Sequence, residues 1–528
     1  MFPKPYYAGC IIVFDLWLAI AAPFFIGLAV SFGFEVWLQP KVLPFWQRHW
    51  PTIPLHLGLY VLVYAFELAL FQRPWFAGFN VLALIMLIVQ VSNAKFTALR
   101  EPFIYQDFEY FTDTLKYPRL YIPFFGIWPA ICAVLGFVGL VYLGMTLETA
   151  LTVAFTPGVF IAALLSLSVL GYALVRLGAS QHVPVCFDPA TDVRQLGLLA
   201  SLWRYGEQER LPQKFSSLYD GLQAAVVADV ALPNIVVVQS ESFFDARRLY
   251  AGIKPSVLQA FDRLKAEALC QGQLTVSAWG ANTVRTEFAF LTGLAAEQLG
   301  VHRFNPYRTL ARQGTPSLAR FLQAQGYRTV CVHPFHAGFY GRDQVMPALG
   351  FDEFIDQRQF TPADQAGPYI GDVALAEKVC SILAASSQQP LFVFVISMET
   401  HGPLHLEKLQ EGDLQQLYNE PPPAHCADLS IYLRHLQNAD RMAARLRECL
   451  SGLERPSCLC WYGDHVPIMP SVYQVLSVPD GKTDYFIWHS QRRSGKAQLL
   501  DGHIERLGYG LLAKIGLLRQ TETGDESL

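Results

Sequence analysis

Charge is what this sequence has least of: only 16% of its 528 residues are Asp, Glu, Lys or Arg, against 52% hydrophobic. Soluble domains carry about a quarter charged residues, so part of the chain is expected in lipid. The charge present is nearly balanced, 40 basic and 44 acidic residues. No basic run of the kind that tracks a phosphate backbone occurs, which argues against a nucleic-acid partner. Ten cysteines fall without the paired spacing of a zinc finger. Cys10 and Cys132 lie in apolar runs; the others are scattered from Cys186 to Cys460. A short bridge such as Cys449–Cys458 suits an oxidising compartment, whereas Cys331 and Cys460, in strand-like apolar runs, are expected as buried free thiols. Internal repeats and low-complexity tracts are absent. Met1–Lys4 holds one basic residue before an apolar run longer than a cleavable signal core. No small-residue cleavage pattern closes that run, so it is expected to be a retained anchor.

What the chain has instead is long apolar runs. Stretches near 10–31, 53–72, 74–94, 120–145 and 149–177 each meet or approach the roughly 20 residues that cross a bilayer. They predict an all-α N-terminal membrane domain of about five transmembrane helices over 1–180. An odd number of spans puts the C-terminal domain on the side opposite the N-terminus. With the N-terminus inside, Lys4 and Arg73 lie inside and Lys41, Arg48, Lys95, Arg100, Lys116 and Arg119 outside, a distribution that the positive-inside rule alone would reverse. Residues 93–121 interleave aromatic and charged side chains at helical spacing, as a segment lying in the membrane interface does. Such a segment is either a solvated loop with aromatic anchors or a lip guiding a lipid toward the C-terminal domain. Asp15 and Glu67 are carboxylates within apolar runs, which marks either function or a place near a span end. Residues 181–230 read as a connecting arm.

From 231 to 520 the pattern changes. PNIVVVQSES, YRTVCVHPFH, PLFVFVISMETHG and PSCLCWYGDH are short continuous apolar runs followed at once by polar and ionisable residues, the signature of strands buried on both faces. Helix-like stretches lie between them, such as TPSLARFLQAQG and DVALAEKVCSILAAS. Alternating strands and helices predict an α/β domain with a mainly parallel sheet. Ligand sites in such sheets lie beyond the carboxyl ends of the strands, where Glu241, His333, His336, His401, Asp464 and His465 would gather.

Asp464–His465 is the sharpest of these signals, because an adjacent carboxylate and imidazole can ligate one cation from a single turn, although the same pair could cap a loop. With Glu241 it makes an oxygen-rich site with one nitrogen, suited to Mn²⁺, Zn²⁺ or Mg²⁺. A nucleophile is offered by GQLTVSAWGANTVRTEFAFLTGL, in which a strand-like TVSAW and a Gly turn precede Asn282–Thr283 at the start of an apolar-periodic helix. A hydroxyl there lies in the field of unpaired backbone N–H groups that favour phosphate. Thr283 is equally suited to be an N-cap, and Thr286 and Ser277 compete for the nucleophile role. Coordination to a divalent cation would remove the hydroxyl proton without a dedicated base.

These residues together resemble the alkaline-phosphatase superfamily branch that contains lipoteichoic acid synthases and phosphoglycerol transferases, with phosphoethanolamine transferases more distant. The resemblance covers the whole plan. VVVQSESFFD is similar to the family's strand and metal-ligating Glu, matching Glu241. ANTVRTEFAFLTG resembles its nucleophile segment, matching Thr283, and WYGDH its metal pair, matching Asp464 and His465. HPFHAGFYGRDQVMPALGFDEF resembles the substrate segment, with His333 and Arg342 matched and Tyr340 in place of the usual Trp; ETHGP matches the substrate-binding His at His401.

The resemblance implies a sulfatase-like catalytic domain holding one divalent cation, Mn²⁺ foremost, with Thr283 as nucleophile and metal ligand. It implies an anionic phospholipid donor, phosphatidylglycerol, and an envelope glycan or polymer acceptor. It also implies a multi-pass protein of the cytoplasmic membrane with its catalytic domain extracytoplasmic. His401 and His333 would bind phosphate or protonate the departing oxygen, and Arg342 would stabilise phosphate charge. A phosphoethanolamine transferase on the same fold is the alternative. A sulfatase would need a C/S-x-P-x-R signature, which the sequence lacks. A two-zinc phosphatase would need more Asp and His ligands, and a hydrolase would pass the group to water. A non-catalytic assembly protein would be expected to have lost Thr283 or a metal ligand.

Overall fold

The computed structural model describes residues 5–118, 126–222, 232–386, 388–491 and 495–518. Lys4, the end of the expected interfacial segment from Arg119, residues 223–230 of the expected arm and 519–520 lie outside the described residues. The chain divides into two compact units, Met1–Leu211 and Pro212–Leu528.

The first unit is built on α1 (Pro5–Phe34), α2 (Thr52–Phe71), α3 (Pro74–Leu99), α4 (Ile127–Leu147) and α5 (Pro157–Ala179). Five helices here are long and apolar enough to cross a membrane. They are apolar all round: Phe14, Phe66, Phe79, Val134 and Leu165 face outward while Leu16, Tyr64, Val81 and Leu167 pack inward. That is how helices surrounded by lipid are built. Small residues let α2 and α5 approach closely: a Cβ on Gly171 would lie 2.8 Å from Leu62 Cγ, and one on Gly178 2.6 Å from Leu55 Cγ. Of the two carboxylates flagged in the apolar runs, Asp15 is exposed and Glu67 accepts a hydrogen bond from Asn80 Nδ2 at 3.1 Å. Among the buried carboxylates of this unit, Glu35, at 1% exposure, accepts from Arg48 Nη1 at 2.5 Å and from the Leu198 amide at 2.8 Å.

The second unit contains β1 (Asn234–Ser240), β2 (Cys270–Thr275), α6 (Thr283–Thr292), β3 (Arg328–Val332), β4 (Glu353–Ile355), α7 (Asp372–Ala384), β5 (Leu391–Ile396), α8 (Ala427–Ser451), β6 (Ser457–Gly463), β7 (Thr483–His489), β8 (Gln498–Leu499), β9 (Gly502–His503) and α9 (Ile504–Lys514). Among the described residues these strands form one nine-stranded sheet, ordered β8–β2–β7–β6–β1–β5–β3–β4 with β9 also on β2. The sheet is parallel from β6 through β1, β5 and β3 to β4, and β7 is antiparallel to both β6 and β2. Each of the four apolar runs became a central strand because side chains alternate between two covered faces. Val236 and Val238 of β1 join one core with α7 and α8; Ile235 and Val237 join the other with α6 and α9. TVSAW departs from expectation: β2 ends at Thr275, and the chain leaves the sheet toward Gly280 and Asn282, both at positive φ.

The sheet also settles the cysteines. Cys449 lies on α8 and packs on one core, whereas Cys458 of β6 points into the other, so the sheet separates the two thiols and a Cys449–Cys458 bridge cannot form. Cys331 and Cys460 are buried free thiols, as expected.

Candidate active site and metal centre

The central parallel ladder brings the site together. β1 and β6 pair in register with Ser240 opposite Gly463, so the residues next in the chain after each strand, Glu241 and Asp464, emerge side by side. A tight turn follows β1, with Ser242 at φ 52°. The Ser242 amide donates to Asp464 Oδ1 at 2.7 Å, its hydroxyl donates to Glu241 Oε1 at 2.9 Å, and the Glu241 amide donates to Ser397 Oγ at 2.9 Å. Gly463 has no room for a side chain, since a Cβ would sit 1.8 Å from the Phe243 carbonyl oxygen.

Glu241, Asp464 and His465 present ligand atoms within 4.8 Å of one another, all buried. His465 Nε2 lies 3.3 Å from Asp464 Oδ2 and 3.5 Å from Glu241 Oε1. Its Nδ1 donates to the Val466 carbonyl at 3.1 Å, which fixes the tautomer and leaves Nε2 as a lone pair facing the carboxylates. Asp464 Oδ2 and His465 Nε2 are buried with no hydrogen-bond partner among the described residues. Burial and the neighbouring Glu241 carboxylate push the Asp464 carboxyl far above its usual range, while burial lowers the His465 imidazole. Two carboxylates and a neutral imidazole nitrogen, with Asp464 Oδ2 and His465 Nε2 unpartnered 3.3 Å apart, fit a divalent cation.

Thr283 completes the group. It is the first residue of α6, 7% exposed, and its Oγ1 donates to Glu241 Oε2 at 3.4 Å. The N-cap is Asn282, in the left-handed region at φ 66° and making no side-chain cap, so the first amides of α6 are not capped by its side chain. Thr286 is turned away to donate to the Asp464 carbonyl at 2.8 Å, and Ser277 lies half-buried in the loop after β2.

The substrate-segment residues are placed differently. Arg342 is buried, with Nε and Nη2 donating to Glu287 at 3.1 and 2.8 Å and Nη1 3.2 Å from His333 Nε2. Glu287 also accepts from Tyr307 and, at 3.3 Å, from Gln239, which accepts from Tyr462 at 2.7 Å. His333 donates from Nδ1 to the Ile396 carbonyl at 3.2 Å, and burial with the adjacent guanidinium drives its pKa well down. It is held as a neutral acceptor. Tyr340, at φ 56°, sets its ring 5.3 Å from the Arg342 guanidinium carbon. His401 is half-buried in the turn after β5, its Nδ1 donating to the Gly402 carbonyl at 2.7 Å. His336 is exposed and bonded to Gln357.

Sequence reasoning gave no role to Glu287, although its position inside an apolar helix signals a buried pair. It also missed the network behind His401. His435 of α8 donates to Glu399 at 3.0 Å and to Glu407 at 2.9 Å; Asn438 also donates to Glu399, and Arg434 to Glu407 at 3.1 Å. Asp372 lies beside them, its amide donating to Glu399 Oε2 at 2.7 Å. Burial alone would lower the His435 pKa, but the two carboxylates reverse this and raise it to about 9. Because the folded value exceeds the unfolded one, the stabilisation is fully present below about pH 6.5 and is lost as pH rises through about 9. Chemical unfolding across that window is expected to show a loss of about 3 kcal/mol that His435→Gln abolishes; a His435→Gln protein with the same pH slope would contradict it.

Fold and site together define a sulfatase-like α/β unit with a buried Glu-Asp-His cluster, in a chain that also carries five helices long and apolar enough to cross a membrane. Residues 233–505 match the sulfatase family, more than half of the chain, and the chain belongs to that family. The capsular polysaccharide biosynthesis protein RkpI of Rhizobium meliloti (strain 1021) is 27% identical over 449 residues, covering 82% of this chain and 80% of that protein. A putative cyclic β-1,2-glucan modification protein of the same organism is 27% identical over 272 residues, 51% of this chain and 40% of that protein. Among solved structures, the integral membrane lipooligosaccharide phosphoethanolamine transferase EptA of Neisseria meningitidis superimposes with a TM-score of 0.53 at 12% identity, covering 98% of this chain and 97% of that one.

Proposed function

We propose that this protein moves a phosphoglycerol group from phosphatidylglycerol to a hydroxyl of an envelope glycan or polymer, through a covalent intermediate on Thr283. The observation that carries the proposal is the placement of the Thr283 hydroxyl against Glu241, beside Asp464 and His465, at the start of α6. A glycan acceptor is supported by the relatives named for capsular polysaccharide and cyclic glucan. The donor follows from the motif resemblance. The catalytic unit would then face the extracytoplasmic side, where both substrates are found.

Glu241, Asp464, His465 and Thr283 would hold a divalent cation, Mn²⁺ in the first instance. When bound, the cation supplies positive charge that favours the ionised threonine and offsets phosphate charge. Thr283 Oγ1 loses its proton to water and attacks phosphorus, forming the Oγ1–P bond as the bond from phosphorus to the diacylglycerol oxygen breaks. His401, half-buried and with Nδ1 held by the Gly402 carbonyl, would as the imidazolium hand that oxygen a proton from Nε2. The acceptor hydroxyl then attacks phosphorus, giving its proton to His401 Nε2 as the Oγ1–P bond breaks, and Thr283 takes a proton back from water. The first amides of α6 orient the equatorial oxygens. Arg342, held by Glu287, fixes the loop that carries Tyr340 at the rim.

Mass spectrometry of the purified protein incubated with Mn²⁺ and phosphatidylglycerol tests the proposal, with phosphatidylethanolamine and a chelated sample in parallel. A phosphoglycerol adduct on Thr283 that the chelator prevents is expected. A phosphoethanolamine adduct would transfer the protein to the neighbouring activity, and unmodified Thr283 with both lipids would overturn the covalent mechanism.

A further inference from the structure

We infer that Cys380 and Cys449 are a disulfide pair that staples α7 to α8. The two helices precede β5 and β6, both parallel to β1, so they run in the same direction across one face of the sheet. Leu375, Ala376 and Val379 of α7 share a core with Leu436, Ala443 and Leu446 of α8. At their outer edge Arg445 spans the gap, its Nε 2.6 Å and its Nη2 3.1 Å from the two oxygens of Glu377. Cys380 lies three residues beyond Glu377 and Cys449 four beyond Arg445, which is the same face one turn further on each helix. There Cys380 and Cys449 pack on the same core at the seam between the two helices, each beside the other.

The chemistry of the pair is asymmetric. Cys380 is 7% exposed, whereas Cys449 is partly open to solvent. Contact with Cys380 and the nearby Arg445 guanidinium favour the Cys449 thiolate; the same contact and burial push the Cys380 thiol up. Cys449 is therefore the attacking sulfur. Its thiolate attacks a small-molecule or protein disulfide, releasing one thiol. Cys380, losing its proton, then displaces the second thiol from the mixed disulfide. Two protons and two electrons pass from the cysteines to the oxidant, which leaves as two thiols.

The staple would close a loop of about 70 residues, long enough for a sizeable effect on the unfolded chain. That loop contains β5, Glu399 and His401. It also ties α7, which begins at Asp372, to α8, which carries His435 and Tyr432. The Tyr432 hydroxyl donates to the Ser242 carbonyl at 2.8 Å and accepts from the Phe244 amide at 3.1 Å, so α8 braces the turn that carries Glu241. Cys270, Cys331, Cys458 and Cys460 lie fully buried in the opposite core, out of reach of an oxidant, and serve as internal controls.

The test uses the full chain in detergent, incubated with oxidised glutathione, then alkylated with N-ethylmaleimide and mapped by mass spectrometry. The peptides containing Cys380 and Cys449 are expected to appear joined and to separate with dithiothreitol. Reduction should lower the melting temperature by about 5–10 °C. In the Cys449→Ser variant the reductant-dependent shift should vanish. Alkylated Cys380 and Cys449 after oxidation would overturn the inference, as would Cys449 stranded as a glutathione mixed disulfide beside alkylated Cys380. The peptide map is read on the unaltered protein, so it decides the matter even if the variant folds poorly, and it does not depend on the substrate.

Discussion

Thr283→Ala is expected to reduce transfer by about 10⁴-fold or more while leaving the protein folded. The hydroxyl's hydrogen bond to Glu241 is long, 3.4 Å, and it sits at the first position of a helix where alanine is well tolerated. Truncation should therefore cost about 1 kcal/mol of stability, as for other small buried polar groups. Glu241, Asp464 and His465 still converge without it, so cation binding should weaken and persist. Three readings on one sample separate the effects: turnover with phosphatidylglycerol, the mass of the protein after incubation, and cation binding by calorimetry. Thr283→Ser restores a hydroxyl and should recover part of the rate. Retained turnover in Thr283→Ala would sink the nucleophile assignment, whatever the structure places nearby.

Arg342→Ala is expected to lower stability by about 3–5 kcal/mol, the cost of stranding a buried charge. Glu287 is 0% and Arg342 1% exposed at the side chain, and the carboxylate is fixed in place by Tyr307 and Gln239. Removing the guanidinium leaves Glu287 in the core without a counter-charge, where water cannot reach it. The double variant Arg342→Met/Glu287→Leu removes both charges and should recover most of the loss, because an apolar pair of similar volume needs no compensation. The resemblance that assigned Arg342 to substrate phosphate makes the contrary forecast, that KM for lipid rises while the unfolding midpoint holds. Denaturant titration beside a lipid-dependence curve distinguishes them, since a midpoint unchanged by Arg342→Ala would refute the structural role.

The particular residues show where sequence was informative. Four apolar runs gave four central strands because a strand buried on both faces needs an unbroken apolar run, which no exposed strand shows. The convergence of Glu241, Asp464 and His465 was legible for the same reason: strand ends in a parallel sheet lie together, so a Glu after β1 and an Asp-His after β6 become neighbours once adjacency is granted. Adjacency itself was not written in the chain. Nothing local says that β6 lies beside β1 or that β7 runs backward between β6 and β2. The polar networks were equally hidden. Glu287 and Arg342 are 55 residues apart, and Glu399 and His435 are 36 apart, so their pairing exists only after the core has closed. Cys449 was read against its sequence neighbour Cys458, and the intervening sheet defeated that reading.

The alignment of β1 with β6 leaves no play in the Glu241–Asp464–His465 cluster. Sliding one strand past the other by a single position would move Glu241 about 3.3 Å and turn it to the opposite face, so the cluster tolerates no slip in that pairing. Ser240 facing Gly463, with the Phe243 carbonyl filling the space a side chain would need, acts as a stop against it. The segments around Tyr340, in a short 3-10 turn after β3, and His401, in the turn after β5, take no part in that strand register. On the proposed function, a change of headgroup or acceptor would fall to those loops, while the Glu241–Asp464–His465 cluster stays as the backbone sets it.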